Sequence, residues 1–150
     1  MASNQQVKMT LDEAIAQLSL LEEQIGRLRE VLTTTELRIS SLTILEDALQ
    51  NLREGSEDSL IPLDTSGIVY APAAIKKLDR VIVHAGLDVY VEVSTNKALE
   101  IIRGLRTEYS KIAEFYRQEL QKLVQYYEGL RAAVEQALAR ARAQQQPRVQ

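Results

Sequence analysis

The chain contains no cysteine and no tryptophan, and it has one histidine, His84, and one phenylalanine. Without cysteine it can form no disulfide, no thiolate zinc site and no cysteine nucleophile. A lone histidine cannot build a histidine-rich metal site. We therefore expect no metal and no other cofactor. Aromatic residues are also too few for a compact spherical core.

Long apolar runs are missing as well. No stretch approaches the ~18 apolar residues that would span a bilayer, and the opening sequence MASNQQVKMT lacks the apolar segment of a signal peptide. The formal net charge of −3 argues against a general polyanion binder. These features predict a soluble cytoplasmic protein that forms one domain over residues 1–150 and binds neither membrane nor nucleic acid.

A first coiled-coil helix is predicted over residues 10–54. Its apolar residues alternate in steps of three and four, which is the repeat of a coiled-coil seam. Thr10 and Glu13 have the spacing of a capping box at the start, and Gly55 is suited to the left-handed residue that follows a helix end. Thr35 is the one polar seam member as far as Leu42. Beyond it the apolar pattern continues at Leu45, a three-residue step that predicts a locally overwound coil.

A second coiled-coil helix is predicted over residues 95–142, with tails 1–9 and 143–150 polar and flexible. Its apolar seam passes through Leu105, Ile112 and Tyr116 and contains one stutter, between Ile112 and Leu120. Residues 10–54 carry four Lys+Arg against nine Asp+Glu, whereas residues 96–143 carry nine against six. Opposite charges and matching lengths predict that the two helices pair as an antiparallel hairpin.

Residues 56–94 change from a helical to a strand-like period. Four runs rich in β-branched residues, at 60–64, 67–71, 80–85 and 88–94, are separated by Asp, Ser, Gly and Pro. They predict two β-hairpins, with turns at DTSG and AGLD and a connection at PAAIKKLD. Pro62 and Pro72 cannot donate to a ladder and belong at strand ends or edges. The predicted fold class is therefore mainly α, a long antiparallel two-helix coiled coil with two central β-hairpins.

Isolated hairpins are marginal in water, and their open edges favour further pairing. A slender helix pair offers little to cover their apolar faces. We therefore expect hairpins from several chains to join into a β-barrel platform, so that the strands serve for assembly. The predicted assembly interface is formed by Ile61, Leu63, Val69, Val81, Val83, Val89, Val91 and Val93.

The two hairpins within a coiled coil resemble the alpha subunit of the prefoldin family. LIPLDTSGIVYAPAAI is similar to the first-hairpin pattern of that subunit, and VIVHAGLDVYVEVS to the second. HAGLD departs from the family, which usually has a more glycine-rich turn there. The matching positions are Pro62, Leu63, Val81, Val83, Gly86, Val91 and Glu92.

This resemblance implies a chaperone subunit, from archaea or the eukaryotic cytosol, that does not use ATP. The compact hairpins and the lack of cysteine favour an archaeal source. The resemblance also implies a hexamer of two alpha and four beta subunits on a double β-barrel. The tips of its coiled coils would bind non-native client proteins and pass them to a group II chaperonin. The residues expected to bind clients are Val7, Met9, Leu11, Ile15, Leu20, Val124, Tyr126 and Leu138.

Other interpretations of the same residues remain open. Leu11, Ile15 and Leu138 are explained equally by burial in the seam, and the tyrosines between Tyr109 and Tyr127 mostly keep seam spacing. His84 stands beside a turn without a catalytic partner, so we expect no enzyme. The alternative function is a homo-oligomeric coiled-coil scaffold or tether without chaperone activity. A further alternative is an RNA- or ribosome-associated helical hairpin that uses the basic second helix.

Overall fold

The computed structural model describes residues 9–145. These residues form two long helices that flank four short strands in the chain. The elements are α1 (Leu11–Leu52), β1 (Ser56–Pro62), β2 (Tyr70–Ile75), β3 (Arg80–Gly86), β4 (Val89–Ser94) and α2 (Thr95–Gln145). The predicted class of two long helices with two central hairpins is confirmed.

Both predicted helix starts are capped by side chains. Glu13 Oε2 accepts a hydrogen bond from the Thr10 N–H at 2.7 Å, and Thr10 Oγ1 accepts one from the Glu13 N–H at 3.3 Å. Ser94 Oγ accepts one from the Lys97 N–H at 3.2 Å. Each bond satisfies a backbone donor that the first helical turn leaves free. At the other end of α1, Gly55 has a φ of 89°, as the sequence predicts.

The tail predictions fall largely outside the described residues. Residues 1–8 and 146–150 lie beyond them, and Val7 of the predicted client site is among these. Residues 143–145, predicted as flexible tail, continue α2 to Gln145. That the whole chain is one domain stays a prediction.

The helical seam is more regular than the apolar residues suggest. On α1 the buried or half-buried positions keep alternating steps of four and three through Ile39, Leu42, Glu46 and Leu49. The predicted three-residue step to Leu45 is therefore wrong: Leu45 is 46% exposed, whereas Glu46 is 7% exposed. A second three-residue step after Leu42 would overwind the supercoil locally. The burial at Glu46 shows that α1 takes a four-residue step there instead.

The same correction applies to α2. Its seam passes through Arg106 and Ala113, while the predicted seam members Leu105 and Ile112 are exposed. The stutter expected before Leu120 is absent for this reason. The members of the observed seam are Thr95, Leu99, Ile102, Arg106, Tyr109, Ala113, Tyr116, Leu120, Leu123, Tyr127, Leu130 and Val134.

The chain divides into two compact units, which we call the terminal unit (Met1–Thr34 and Ala113–Gln150) and the hairpin unit (Thr35–Ile112). In the terminal unit Leu11 lines a cavity with Val134 and Ile25 lines another with Val124, so the helices run antiparallel. In the hairpin unit Arg38 lies over the Tyr109 ring, with its guanidinium carbon 5.9 Å from the ring centroid. Glu46 there contacts Arg103 and Arg106, which gives the same antiparallel direction.

The first hairpin begins earlier in the chain than predicted. Leu60 pairs with Pro72 and Ile61 with Ala71, so both strands are displaced from runs 60–64 and 67–71, and residues 72–75 of the expected connection are strand. Asp64 explains the difference. Its carboxylate accepts hydrogen bonds from the N–H groups of Ser66 and Ile68, both at 2.9 Å, and of Val69 at 3.0 Å. These bonds hold Gly67–Val69 in a loop.

The second hairpin agrees closely with its predicted strands. Val81 pairs with Val93 and Val83 with Val91, with an irregularity between His84 and Gly86. Leu87 and Asp88 form the two-residue turn with φ values of 48° and 59°. Positive φ at both residues is what a turn between right-twisted strands requires. The side chains of Val81, Val83, Val91 and Val93 therefore share one face.

The connection between the hairpins ties the ends of the two helices together. The Leu78 N–H donates to the Arg53 carbonyl at 2.9 Å, and the Thr95 N–H donates to the Asp79 carbonyl at 3.1 Å. The Thr95 hydroxyl also donates to the Leu78 carbonyl. Leu78 and Asp79 thus link the end of α1 to the start of α2.

Candidate functional site: two apolar surfaces

Both hairpins expose large apolar side chains. Ile68 in the loop of the first hairpin is 80% exposed, and Ile82 in β3 is 72% exposed. The predicted assembly residues Ile61, Leu63 and Val69 are exposed as well. Water contact of this extent is costly for aliphatic side chains, at ~25 cal/mol per Å² of apolar surface. A partner that covered the hairpins would therefore gain free energy by burying these apolar side chains.

The valine face of the second hairpin is partly covered within the chain. Val81, Val83 and Val93 are half-buried, whereas Val89 and Val91 are exposed. A cavity of about 260 Å³ lies beside β3, so the helix pair covers more of this face than the sequence leads us to expect. It is lined by Leu42, Leu45, Leu49, Val81, Ile82, Val83, His84, Ala98, Ile101, Ile102 and Leu105.

Several exposed apolar residues of the hairpins are missing from the predicted interface. Ile82 and Tyr90 lie on the face opposite the valines, and Leu60, Ile68 and Tyr70 are exposed in the first hairpin. In the second hairpin Ile82 and Tyr90 alternate with the valines in the sequence, and this alternation could have indicated a second apolar face. Because both faces are partly apolar, alternation alone did not decide which face meets a partner. The assembly role of all these residues stays a prediction.

The described residues of the predicted client site all belong to the terminal unit but do not form one site. Met9 and Leu11 line a cavity of about 240 Å³ with Ala14, Val134 and Ala137. Leu20 lines a second cavity with Ala16 and Leu21, and Val124 a third with Ile25 and Tyr127. Ile15 and Tyr126 are exposed, and Leu138 is half-buried.

Polar contacts hold the helices of the terminal unit together beside these cavities. The Gln17 side-chain amide donates to the Tyr126 hydroxyl at 2.9 Å, so this predicted client residue also has a structural contact. The Tyr127 hydroxyl donates to Glu22, and this hydrogen bond raises the pKa of Tyr127. Within α2, Arg131 also pairs with Glu135 at 3.0 Å. The predicted packing role for tyrosines in the seam agrees with the half-buried positions of Tyr116 and Tyr127.

The surroundings of His84, the single histidine, and of the acidic residues bear on whether the chain carries a catalytic or metal site. The His84 ring lies 4.9 Å from the Tyr90 ring, centroid to centroid, on an exposed face. Within residues 9–145 no three His, Asp or Glu side chains are arranged to hold a metal ion. The exposed apolar side chains of the hairpins, and those spread over the terminal unit, are the candidate functional sites.

Acid is expected to loosen the loop of the first hairpin. The hydrogen bond from the Val69 N–H, with those from Ile68 and Ser66, holds the pKa of Asp64 below its ordinary value of 3.8. A depressed pKa means that this stabilisation is complete above pH 3.8 and is lost as the pH falls through the folded-state value. Amide hydrogen exchange at Ile68 and Val69, followed by NMR between pH 6 and pH 2 (about the range in which carboxyls titrate), should show protection lost in acid.

The Asp64→Asn variant is the control for this prediction. Its amide oxygen can still accept from Ile68 and Val69, but its nitrogen cannot accept from Ser66, and the group does not titrate. Protection at Ile68 should then be lower at neutral pH and nearly independent of pH. An equal acid response in both proteins would assign the effect to another carboxyl.

Comparison with known proteins places the chain in a family. The family model for the prefoldin subunit matches residues 21–140. The "Prefoldin subunit alpha" of Hyperthermus butylicus is 52% identical over 133 residues, covering 89% of this chain and 86% of the relative. That of Saccharolobus solfataricus is 32% identical, covering 79% and 81%. That of Aeropyrum pernix is 31% identical, covering 90% and 92%.

The chain therefore belongs to the prefoldin family, a family of coiled-coil chaperones whose subunits form oligomers. The three relatives named above are alpha subunits from archaea, which confirms the predicted class. A solved chain from a cryo-EM structure of filamentous PFD from Methanocaldococcus jannaschii is 23% identical, with a TM-score of 0.44, and the match covers 81% of this chain and 95% of that one. Neither described helix is long and apolar enough to cross a membrane.

Proposed function

We propose that this chain is the alpha-type subunit of an ATP-independent chaperone that captures non-native proteins and delivers them to a group II chaperonin. The observation that carries the proposal is the family match over residues 21–140. The exposed apolar side chains in both units support it, because capture and assembly each need apolar surface. In this proposal the protein is not an enzyme, binds no cofactor, and acts in the cytoplasm.

The hairpins are proposed to form the assembly surface. Two copies of this chain would join four beta-type subunits through a shared β-barrel platform built around the predicted interface residues. Support comes from the open edges of both two-stranded sheets and from exposed residues such as Leu60, Ile82 and Tyr90. Strand edges with apolar side chains favour pairing with further strands.

Native mass spectrometry of the complex purified from its source cells tests the proposed stoichiometry. A six-chain particle with two copies of this 16.9 kDa chain and four copies of a similar small partner would support it. A homo-oligomer of this chain would instead support the alternative of a scaffold or tether. A lone monomer would remove the assembly role of the hairpins.

The terminal unit is proposed to hold the client surface, through Met9, Leu11, Ile15, Leu20 and the other predicted residues. The start of α1 lies beside cavities of about 240 and 340 Å³, and Met9, Leu11 and Ile15 are exposed there. Helix ends with few buried contacts open at low free-energy cost, and opening exposes seam residues. Met9 suits varied clients because its side chain is flexible and polarizable.

Replacing two exposed residues of the terminal unit should weaken client capture. In the Ile15→Ser/Leu20→Ser variant each substitution removes an aliphatic contact of about 1 kcal/mol, so the two together should raise the dissociation constant for an unfolded client roughly thirtyfold. Fluorescence anisotropy with a labelled unfolded client, and suppression of its aggregation, would measure the loss.

A matched control comes from the same helix. Leu37 and Ile44 are also exposed on α1 but belong to the hairpin unit. The Leu37→Ser/Ile44→Ser variant should bind clients like the parent protein. If both double variants lost capture equally, apolar exposure in general and not the terminal unit would be responsible.

A further inference from the structure

Glu46 is an unusual residue for the interior of a helix pair. It occupies a seam position of α1 in the hairpin unit and is 7% exposed. Its Oε1 lies 2.6 Å from Arg103 Nε, and its Oε2, which has no solvent contact, lies 2.6 Å from Arg106 Nη1. Arg106 itself occupies a seam position of α2. The hydrogen bond from Arg103 and the charge of Arg106 lower the pKa of Glu46, so the cluster is ionised near neutral pH.

Such a cluster is a poor way to increase stability. Burying the Glu46 carboxylate is costly even though the side chains of Arg103 and Arg106 stay 52% and 36% exposed. Replacing a buried charge and its partner by apolar residues of similar volume is often neutral or stabilising. The neighbouring seam positions Leu42, Leu49 and Ile102 show that apolar residues are accommodated here. The cluster therefore calls for an explanation other than stability.

Pairing register offers that explanation. A seam of apolar residues that repeats every seven positions also fits when one helix slides by a heptad, about 10 Å. Glu46 breaks this degeneracy. If α2 slid by seven residues in one direction, Asn96 and Leu99 would take the places of Arg103 and Arg106; in the other direction, Ser110 and Ala113 would do so. In both cases a buried carboxylate would lose its two cations.

We propose that Glu46, with Arg103 and Arg106, sets the register in which α1 and α2 pair in the hairpin unit. Seam packing supplies affinity between the helices, and the ion cluster excludes the heptad-shifted alternatives. A single polar seam residue that specifies register is a known use of such groups in coiled coils. The proposal goes beyond the chaperone function and does not depend on it.

Backbone hydrogen bonds between the ends of the helices could fix the same register. Leu78 and Asp79 connect Arg53 at the end of α1 with Thr95 at the start of α2 through backbone hydrogen bonds. If these bonds were sufficient, the charges in the seam could be replaced without consequence for register. The test must therefore separate register from stability.

Spin labels on the full-length chain report the register of the helix pair independently of its stability. Because the chain has no cysteine, labels can be attached at Ser41→Cys and Asn96→Cys alone, both exposed positions of the hairpin unit. Labelled chain is diluted with unlabelled chain so that only distances within one molecule are measured by double electron–electron resonance. A heptad slip moves the labels by about 10 Å along the helix axis.

The Glu46→Leu/Arg106→Leu variant is expected to melt at or above the parent temperature and yet to show a second label distance, displaced by a heptad. The exposed ion pair Lys97–Glu100, at 3.0 Å, supplies the matched control: Lys97→Gln/Glu100→Gln should keep one distance. A single unchanged distance in the leucine variant would overturn the proposal and assign register to Leu78 and Asp79.

The charge-reversed variant Glu46→Arg/Arg103→Glu/Arg106→Glu keeps the proposal testable if the leucine variant does not fold. It restores opposite charges at the same three positions and should show the one parental distance. Glu46→Arg alone, which places three arginines together, should melt lower and broaden the distance distribution. A charge-reversed variant that folds with two distances would contradict a register role for the cluster.

Discussion

The Val91→Lys variant is expected to stay folded but to lose its place in the oligomer. Val91 pairs with Val83 across the second hairpin and is 44% exposed in the single chain. An exposed lysine costs the isolated hairpin little, whereas a lysine enclosed by a partner's apolar strand would be an uncompensated buried charge. That penalty is about 3 kcal/mol or more, equivalent to at least roughly a hundredfold weaker association. Size-exclusion chromatography with light scattering would measure the loss.

Two comparisons define what this result would mean. Gln50→Lys places the same charge on an exposed position of α1 in the same unit and should leave assembly unchanged. Ile82→Lys places it on the opposite face of the hairpin and shows whether that face is also enclosed. Circular dichroism should give parental helix content for all three variants. An intact complex containing the Val91→Lys chain would remove the valine face from the assembly surface.

The Gly55→Ala variant is expected to destabilise the hairpin unit by about 3 kcal/mol. Gly55 has a φ of 89°, and a Cβ there would lie 2.8 Å from the Ile75 carbonyl oxygen and 3.2 Å from the Lys77 nitrogen. Backbone strain at such a φ costs ~1–3 kcal/mol for a residue with a side chain, and the backbone atoms of the first hairpin cannot move aside without breaking their ladder. Urea unfolding followed by circular dichroism would give the free energy.

Gly104→Ala is the matched control within the same unit. Gly104 lies inside α2, where an added Cβ would meet no atom within 4 Å. Alanine should stabilise this helix by about 1 kcal/mol, because glycine loses more backbone entropy on folding. The two glycines should thus respond with opposite signs. Destabilisation by both substitutions would mean that α2 needs Gly104 for a contact outside this chain.

The helices could be predicted from the sequence because their ends depend on local rules. The capping box at Thr10 and Glu13 and the left-handed glycine at position 55 follow from neighbouring residues. The second hairpin could be located for the same reason, since its two-residue turn lies between two valine-rich runs. The resemblance to prefoldin alpha subunits rested on these hairpins and is confirmed by the family match.

The first hairpin could not be placed correctly from local pattern. Its strands were expected where β-branched residues are dense, but three backbone hydrogen bonds to Asp64 turn part of that region into a loop. The pairing then continues through Pro72 and Ala73, which have weak strand signals. A single carboxylate that collects several N–H groups outweighs the strand preference of Ile68 and Val69.

What the sequence determined by itself is therefore the set of elements, their order, and the apolar character of the hairpins. Only the tertiary structure decided which residues form the seam. Leu45, Leu105 and Ile112 are apolar and continue the apolar pattern, yet they are exposed, whereas Glu46 and Ala113 are buried and Arg106 is half-buried. The reason is geometric: a paired helix keeps its 3.5-residue period, and burial follows that period even where a charge must be paired to satisfy it.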